Sequence, residues 1–251
     1  MADATGSARA HAKWVLGYQV YYTTYHQRWL RAIGPSVNTF ELPRAAPLVG
    51  PSGTDPYWAT TTVVEGGAGT TEVDVTNTAG VAFRITTAAN EFDGANIQAS
   101  GAAFTLAANK PLYFGAKVAI NNATSTDLFV GLCQTRTAFF TAAAHTISAS
   151  TKSHVGFYKL DAVTATKYVA EKNTVVTSSS AGTMGTSAHI YELNFDGSNM
   201  HYFLDGTQVG TIALASCPTA NPLRPTISFR NGNAAVRLGD VYWWRVIQLG
   251  Y

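Results

Sequence analysis

Charged side chains are scarce in this chain. Asp, Glu, Lys and Arg together make up 13% of its 251 residues, about half of the roughly 25% that is ordinary for a soluble domain. The formal net charge is only +2 and the basic residues are scattered, which excludes the basic stripe of a dedicated nucleic-acid binder. Two cysteines, Cys133 and Cys217, are too few for a disulfide framework. Cys133, in the apolar run LFVGLC, reads as a buried free thiol, and a single bridge between the two stays open. No run of about 18 apolar residues would cross a membrane as a helix. The opening MADATGSARAHAK has no apolar stretch of the kind a secretory signal needs. From these absences we expect a protein made in a cytoplasm, which stays there or leaves inside a larger particle, with no membrane and no nucleic acid among its partners.

Motifs that carry chemistry are missing as well. The histidines are His11, His26, His145, His154, His189 and His201, and none has HExxH or similar ligand spacing. His189 and His201 could face each other across a hairpin, but strand histidines are mostly plain surface residues. Gly66-Gly67-Ala68-Gly69 lacks the Lys-Ser/Thr of a phosphate loop. Glycoside hydrolysis needs two carboxylates about 5–5.5 Å apart in the retaining case. The nearest text, Glu91-Phe92-Asp93-Gly94-Ala95-Asn96, has Asn96 where a Glu-x-Asp-x-x-Glu strand would have its third carboxylate. Glu192 and Asp196 lie about 13 Å apart if their strand is extended. We therefore expect no enzyme, no cofactor and no metal site.

What the chain does have is β pattern. In AHIYELNFDGSNMHYFLDGTQVGTI, residues 188–212, Tyr191, Leu193 and Phe195 alternate with Glu192 and Asn194. Asp196-Gly197-Ser198-Asn199 and Asp205-Gly206 supply two tight turns. A meander that buries one face needs a second sheet against it. From Trp58 onward the period stays near two, with turns every 8–12 residues. Leu112, Phe114, Ala116, Val118 and Ile120 alternate most cleanly. Leu128–Cys133 is apolar on both faces, as a central strand would be, and residues 235–249 read the same way around Val241, Trp243 and Val246. Residues 135–152 read as a long loop or short helix over one sheet, and residues 177–185 as a Ser/Gly-rich excursion. About a dozen strands result, enough for two packed sheets.

The N-terminal part differs. Trp14, Tyr18, Tyr21, Tyr22, Tyr25 and Trp29 recur at intervals of 4, 3, 1, 3 and 4, a helical spacing, although Val20–Thr24 is strand-forming by propensity. We expect a short strand or irregular segment over 15–22 and a helix over about 24–33, capped by Thr24 and stopped by Gly34-Pro35. Residues 35–58 hold five of the nine prolines and read as an extended linker with neither helix nor interior strand. The division expected is an N-terminal arm, 1–57, and a β-sandwich, 58–251.

Leu112-Tyr113-Phe114, Gly156-Phe157-Tyr158-Lys159, NFDGSNMHYFLDGTQVGTI (194–212) and PLRPTISFRNGNAAVRLGDVYWWRV (222–246) together resemble the concanavalin A-like (laminin G-like) jelly-roll sandwiches. The resemblance spans roughly residues 60–251. It implies an all-β fold, two antiparallel sheets, and leaves function open because lectins, glycanases and structural modules share it. Val20-Tyr21-Tyr22, Arg28-Trp29-Leu30-Arg31 and Gly34-Pro35 resemble the N-terminal segment of a group of tailed-bacteriophage head proteins. That implies a virion structural protein on the capsid exterior, assembled in the bacterial cytoplasm, that staples neighbouring shell subunits. Its partners would be the major capsid protein and further copies of itself, in a homo-oligomer. Trp14, Tyr18, Tyr21, Tyr22, Tyr25 and Trp29 are the expected anchors, since large aromatics dominate interfaces. The alternative is a lectin-like module with a glycan partner. Trp58, Trp243 and Trp244 are candidate sugar or subunit contacts, with Tyr57, Phe139 and Phe140 as further candidate platforms; of Trp243 and Trp244, one must point inward and one outward, and for the outward one a subunit or arm contact is favoured over a sugar platform.

Overall fold

The computed structural model describes residues 80–99, 104–148 and 153–250 with their side chains, and six further segments as backbone strands only. Those six are β1 (Ala10–Val15), β2 (Tyr18–Thr23), β3 (Trp29–Ile33), β4 (Val37–Glu41), β5 (Trp58–Val63) and β6 (Glu72–Asp74). The strands that follow are β7 (Phe83–Thr86), β8 (Gly94–Ala99), β9 (Leu112–Ile120), β10 (Thr126–Cys133), β11 (His154–Lys159), β12 (Ala165–Lys172) and β13 (Val175–Thr183). After them come β14 (His189–Phe195), β15 (Asn199–Leu204), β16 (Thr207–Ala213), β17 (Arg224–Asn231) and β18 (Leu238–Leu249).

Two antiparallel sheets face each other. One runs β13-β12-β11-β10-β17-β8-β5, the other β16-β15-β14-β9-β18-β7-β6, with β4 alongside the second half of β18. The core between them is the set of inward residues that the two-residue period selects. It includes Phe83, Ile97, Phe114, Val130, Phe157, Leu193, Tyr202, Ile227, Phe229 and Trp244. The expected meander is present as β14-β15-β16. Its first turn is closed by Asp196, whose Oδ1 accepts the backbone N–H groups of Ser198 and Asn199 at 2.7 Å each. Its second turn has both central residues at positive φ, Asp205 (50°) and Gly206 (80°), the backbone of a type I′ hairpin. The all-β sandwich is thus as the sequence pattern predicts.

Four expectations are corrected. Residues 29–33 are a strand, not the end of a helix: β3 pairs with β2, Gln19 opposite Ile33 and Tyr21 opposite Arg31. Aromatic and β-branched residues favour a strand wherever a neighbouring strand is available to pair, and the helical spacing of six aromatics over so short a window carries less weight. The proline-rich stretch contains β4, which ends two residues before Pro43, so its backbone N–H groups can still pair. Residues 177–183 belong to β13, an edge strand, where hydroxyl side chains tolerate exposure on both faces. Glu192, expected on a solvated face, is buried, its Oε1 accepting the Tyr113 hydroxyl at 2.7 Å. Cys133 and Cys217 are both buried and are not joined in a disulfide; burial pushes the Cys217 thiol up to about 12, so it stays protonated and inert at neutral pH.

Candidate functional site

β10 is buried along its whole length, and the reason lies in its two faces. Leu128, Val130 and Leu132 point into the core. Asp127, Phe129, Gly131 and Cys133 point outward, where residues 134–148 fold back over them as a plug. Phe139 of the plug stacks on Phe129 with centroids 3.8 Å apart. Phe140, Cys133 and Val169 complete a second, smaller apolar cluster outside the main core. Gly131 and Gly156 sit opposite each other in the β10–β11 register. A Cβ on Gly131 would meet the Val155 carbonyl at 2.2 Å and the Phe129 ring at 3.1 Å, so the paired glycines make the hollow in which that ring lies.

Around this apolar centre, the outward face of the seven-stranded sheet is polar, and its hydrogen bonds go to the plug's backbone. Asn96 Nδ2 donates to the Arg136 carbonyl at 2.8 Å and Gln98 Oε1 accepts the Arg136 N–H at 2.9 Å. Arg230 donates to the carbonyls of Thr141 (2.7 Å) and Ala144 (2.6 Å). At one end, His154 lies edge-on to Phe139 and 3.5 Å from Glu171. Burial raises the Glu171 pKa, and Arg136 offsets part of that.

The opposite end gathers the charge. Asp127, wholly buried, accepts from Arg230 Nε (3.0 Å) and Nη2 (2.8 Å) and from the Asp161 backbone N–H (2.8 Å). His145 Nδ1 is 2.9 Å from the same carboxylate, while its Nε2 is 3.3 Å from Glu91 and 3.8 Å from Asp161. Burial would lower the His145 pKa, but the hydrogen bonds to Asp127 and Glu91 and the charges of Asp127 and Asp161 outweigh it, and the net shift is upward. Lys159, buried and donating to the carbonyls of Thr126 (2.6 Å) and Leu160 (2.9 Å), is lowered to about 8 by burial, with Asp127 and Asp161 opposing. Among the described residues no group of three or more His, Cys, Asp or Glu is arranged to hold a metal ion.

Beyond the plug the same sheet face opens. Tyr158 of β11 is half-exposed, Lys167 stands opposite it on β12, and Ser180 opposite Lys167 on β13, both exposed. Three residues after Tyr158 comes Asp161, at the rim with His145 and Glu91. The result is a strip with one aromatic ring, an ammonium, a hydroxyl and two carboxylates, bordered by Leu160. Sequence reading did not single out Tyr158. The signal was there in the alternation of His154, Gly156 and Tyr158 against Val155 and Phe157.

The expected site residues are dispersed. Trp14 lies on β1, Tyr18, Tyr21 and Tyr22 on β2, Trp29 on β3 and Trp58 on β5; their side chains, and Tyr25 and Tyr57 altogether, lie outside the described residues. Trp244 is fully buried in the core and Trp243 is half-buried on the outer face of the eight-stranded sheet, so the inward–outward split holds and Trp244 is no platform. Phe139 and Phe140 are buried in the plug and are not platforms either. His189 and His201 do not converge: His189 pairs with Asp205 at 2.6 Å and His201 with Asp196 at 3.0 Å, at opposite ends of the hairpin.

No protein-family model matches this sequence, and neither does any curated protein. Solved structures do. The chain is similar to a β-1,3-glucanase from Mycobacterium marinum, with 12% identity over 85% of this chain and 99% of that one and a TM-score of 0.56. It is similar to LamAcat from Zobellia galactanivorans, with 13% identity over 82% and 96% and a TM-score of 0.55. It is similar to the potassium-bound carbohydrate recognition domain of Emp46p, with 10% identity over 76% and 88% and a TM-score of 0.52. The fold is therefore a concanavalin A-like jelly roll of the type seen in lectin domains and family 16 glycoside hydrolases; at such identities fold alone is shown. The expectation that the protein is no enzyme is overturned on this ground, since the structures that share the fold include glucanases. The virion role finds no support in the comparisons.

Proposed function

We propose that the protein binds carbohydrate, and that the binding surface is the open strip of Tyr158, Lys167, Ser180, Asp161, His145 and Glu91. One observation carries the reading. A half-exposed tyrosine ring stands on a sheet face with an exposed ammonium opposite it on the next strand and an exposed hydroxyl one strand further. An aromatic ring offers a flat apolar surface to the C–H face of a sugar, and the polar groups around it can meet the sugar hydroxyls with donors and acceptors. Tyr158, Lys167 and Ser180 stand on neighbouring strands, which hold side chains in place better than loops do. The solved neighbours named as carbohydrate recognition domains and glucanases support the same ligand class.

The test is isothermal titration of the full chain with soluble β-1,3-glucan and mixed-linkage glucan, followed by a glycan array. Tyr158→Ala is expected to weaken binding roughly tenfold, the loss of about 1.4 kcal/mol. The reading fails if no glycan binds, or if binding ignores both Tyr158→Ala and Lys167→Ala. Reducing-end release in the same mixtures tests whether bound glucan is cleaved. The second reading, a capsid-exterior protein that staples shell subunits in a phage assembled in its host's cytoplasm, is favoured by one feature: β1-β2-β3 form a sheet of their own, separate from the sandwich sheets. Co-sedimentation of the full chain with undecorated capsids tests it, and a chain that stays in solution refutes it.

A further inference from the structure

We infer that two copies of this chain pair through β13, so that the seven-stranded sheet continues across a two-fold axis. Among the described residues, β13 is the outermost strand of its sheet and pairs with β12 alone. Its residues 175–180 are exposed on both faces, and Val175 and Val176 keep 68% and 52% of their surface in solvent. Isolated edge strands are normally guarded by a lysine, a proline or an inward charge, because an open row of backbone groups invites pairing. β13, VVTSSSAGT, has none of these. A bulge opposite Thr166 and Lys167 lies at the far end of the strand and leaves residues 175–180 regular.

The wall around this edge has the same character. β16, the edge of the other sheet, lies beside β13, and its sequence TQVGTIA is also uncharged. A surface that meets its own copy across a two-fold must not set like charges against each other, and this one has none to set.

The side chains also match themselves. In a continuous antiparallel sheet, residues opposite each other share a face. A two-fold through Ser178 sets Val176 against Ser180 and Thr177 against Ser179, a larger side chain against a smaller one on each face. The nine residues of β13 span about 30 Å and the sheets stack about 10 Å apart. With side chains, the wall offers about 450 Å² per copy, or roughly 900 Å² in all. That is below the ~1,200 Å² of a standard stable interface, so the dimer is a weak, reversible one.

Sedimentation velocity of the full chain across the micromolar range tests this. The weight-average mass is expected to rise from 26.7 kDa toward twice that value. Ser178→Lys brings two ammonium groups together at the axis and should shift the midpoint at least tenfold upward in concentration. Ser178→Glu should act alike, and Val236→Lys, at an exposed position outside the wall, should change nothing. A wild-type chain that stays monomeric overturns the proposal. So does a dimer indifferent to both Ser178 variants, or a loss that Val236→Lys matches.

Discussion

Asp127→Ala is the most informative single perturbation of this molecule. The carboxylate is fully buried and receives the Arg230 guanidinium through two nitrogens, at 2.8 and 3.0 Å. Arg230 is itself 3% exposed and is held from the other side by the carbonyls of Thr141 and Ala144. When the carboxylate is removed, the guanidinium cannot swing out to water without tearing the plug away. It stays buried with its charge uncompensated, which costs about 3–5 kcal/mol. At about 2–4 °C per kcal/mol for a chain of this size, the melting point should fall by roughly 10 °C. Urea denaturation followed by tryptophan fluorescence, to which the buried Trp244 contributes, reads the loss. Asp127→Leu combined with Arg230→Met should recover part of it, since an apolar pair leaves no stranded charge. A loss below about 1 kcal/mol for Asp127→Ala, or a double variant worse than the two singles together, would refute the view that this pair anchors the plug.

Gly131→Ala should destabilise by about 1–3 kcal/mol, because the new methyl meets backbone rather than a movable side-chain tip; a chemical melt that matches wild type would count against the glycine hollow. His145 sets a pH dependence. Its pKa is raised in the folded chain, so the stability it lends is complete below its unfolded value near 6.5 and is lost as pH rises through the folded value. Melts of wild type and His145→Gln should therefore converge as pH rises above about 6.5; a gap that widens with pH would reverse the sign and sink the argument.

Much of the sandwich was legible in the sequence. Alternation, tight-turn chemistry and the two-face apolar run of β10 are local signals, and each follows from the two-residue period of a strand and from which backbone angles Gly and Asp allow. The type I′ turn at Asp205-Gly206 is readable from two residues because two residues make it. The arm was misread where local spacing suggested a helix at Trp29–Ile33, since a strand draws its stability from a partner that the sequence does not mark. The same holds for β13, whose hydroxyl-rich text looks like a loop until β12 lies beside it.

The candidate site was the least legible part. Asp127, His145 and Glu91 come from three separate stretches and Lys159 and Asp161 from a fourth, and the β10–β11 pairing together with the return of residues 134–148 over the sheet brings them together. Phe139 looked like a sugar platform as a lone aromatic, and became core because that same return stacks it on Phe129. Composition and period by themselves determined the class of fold, for they set which residues can leave water and at what spacing. Which polar residues stay open to a ligand, and which are sealed beneath the chain's own loop, was decided only by tertiary packing, because exposure belongs to the whole surface and to no segment of it.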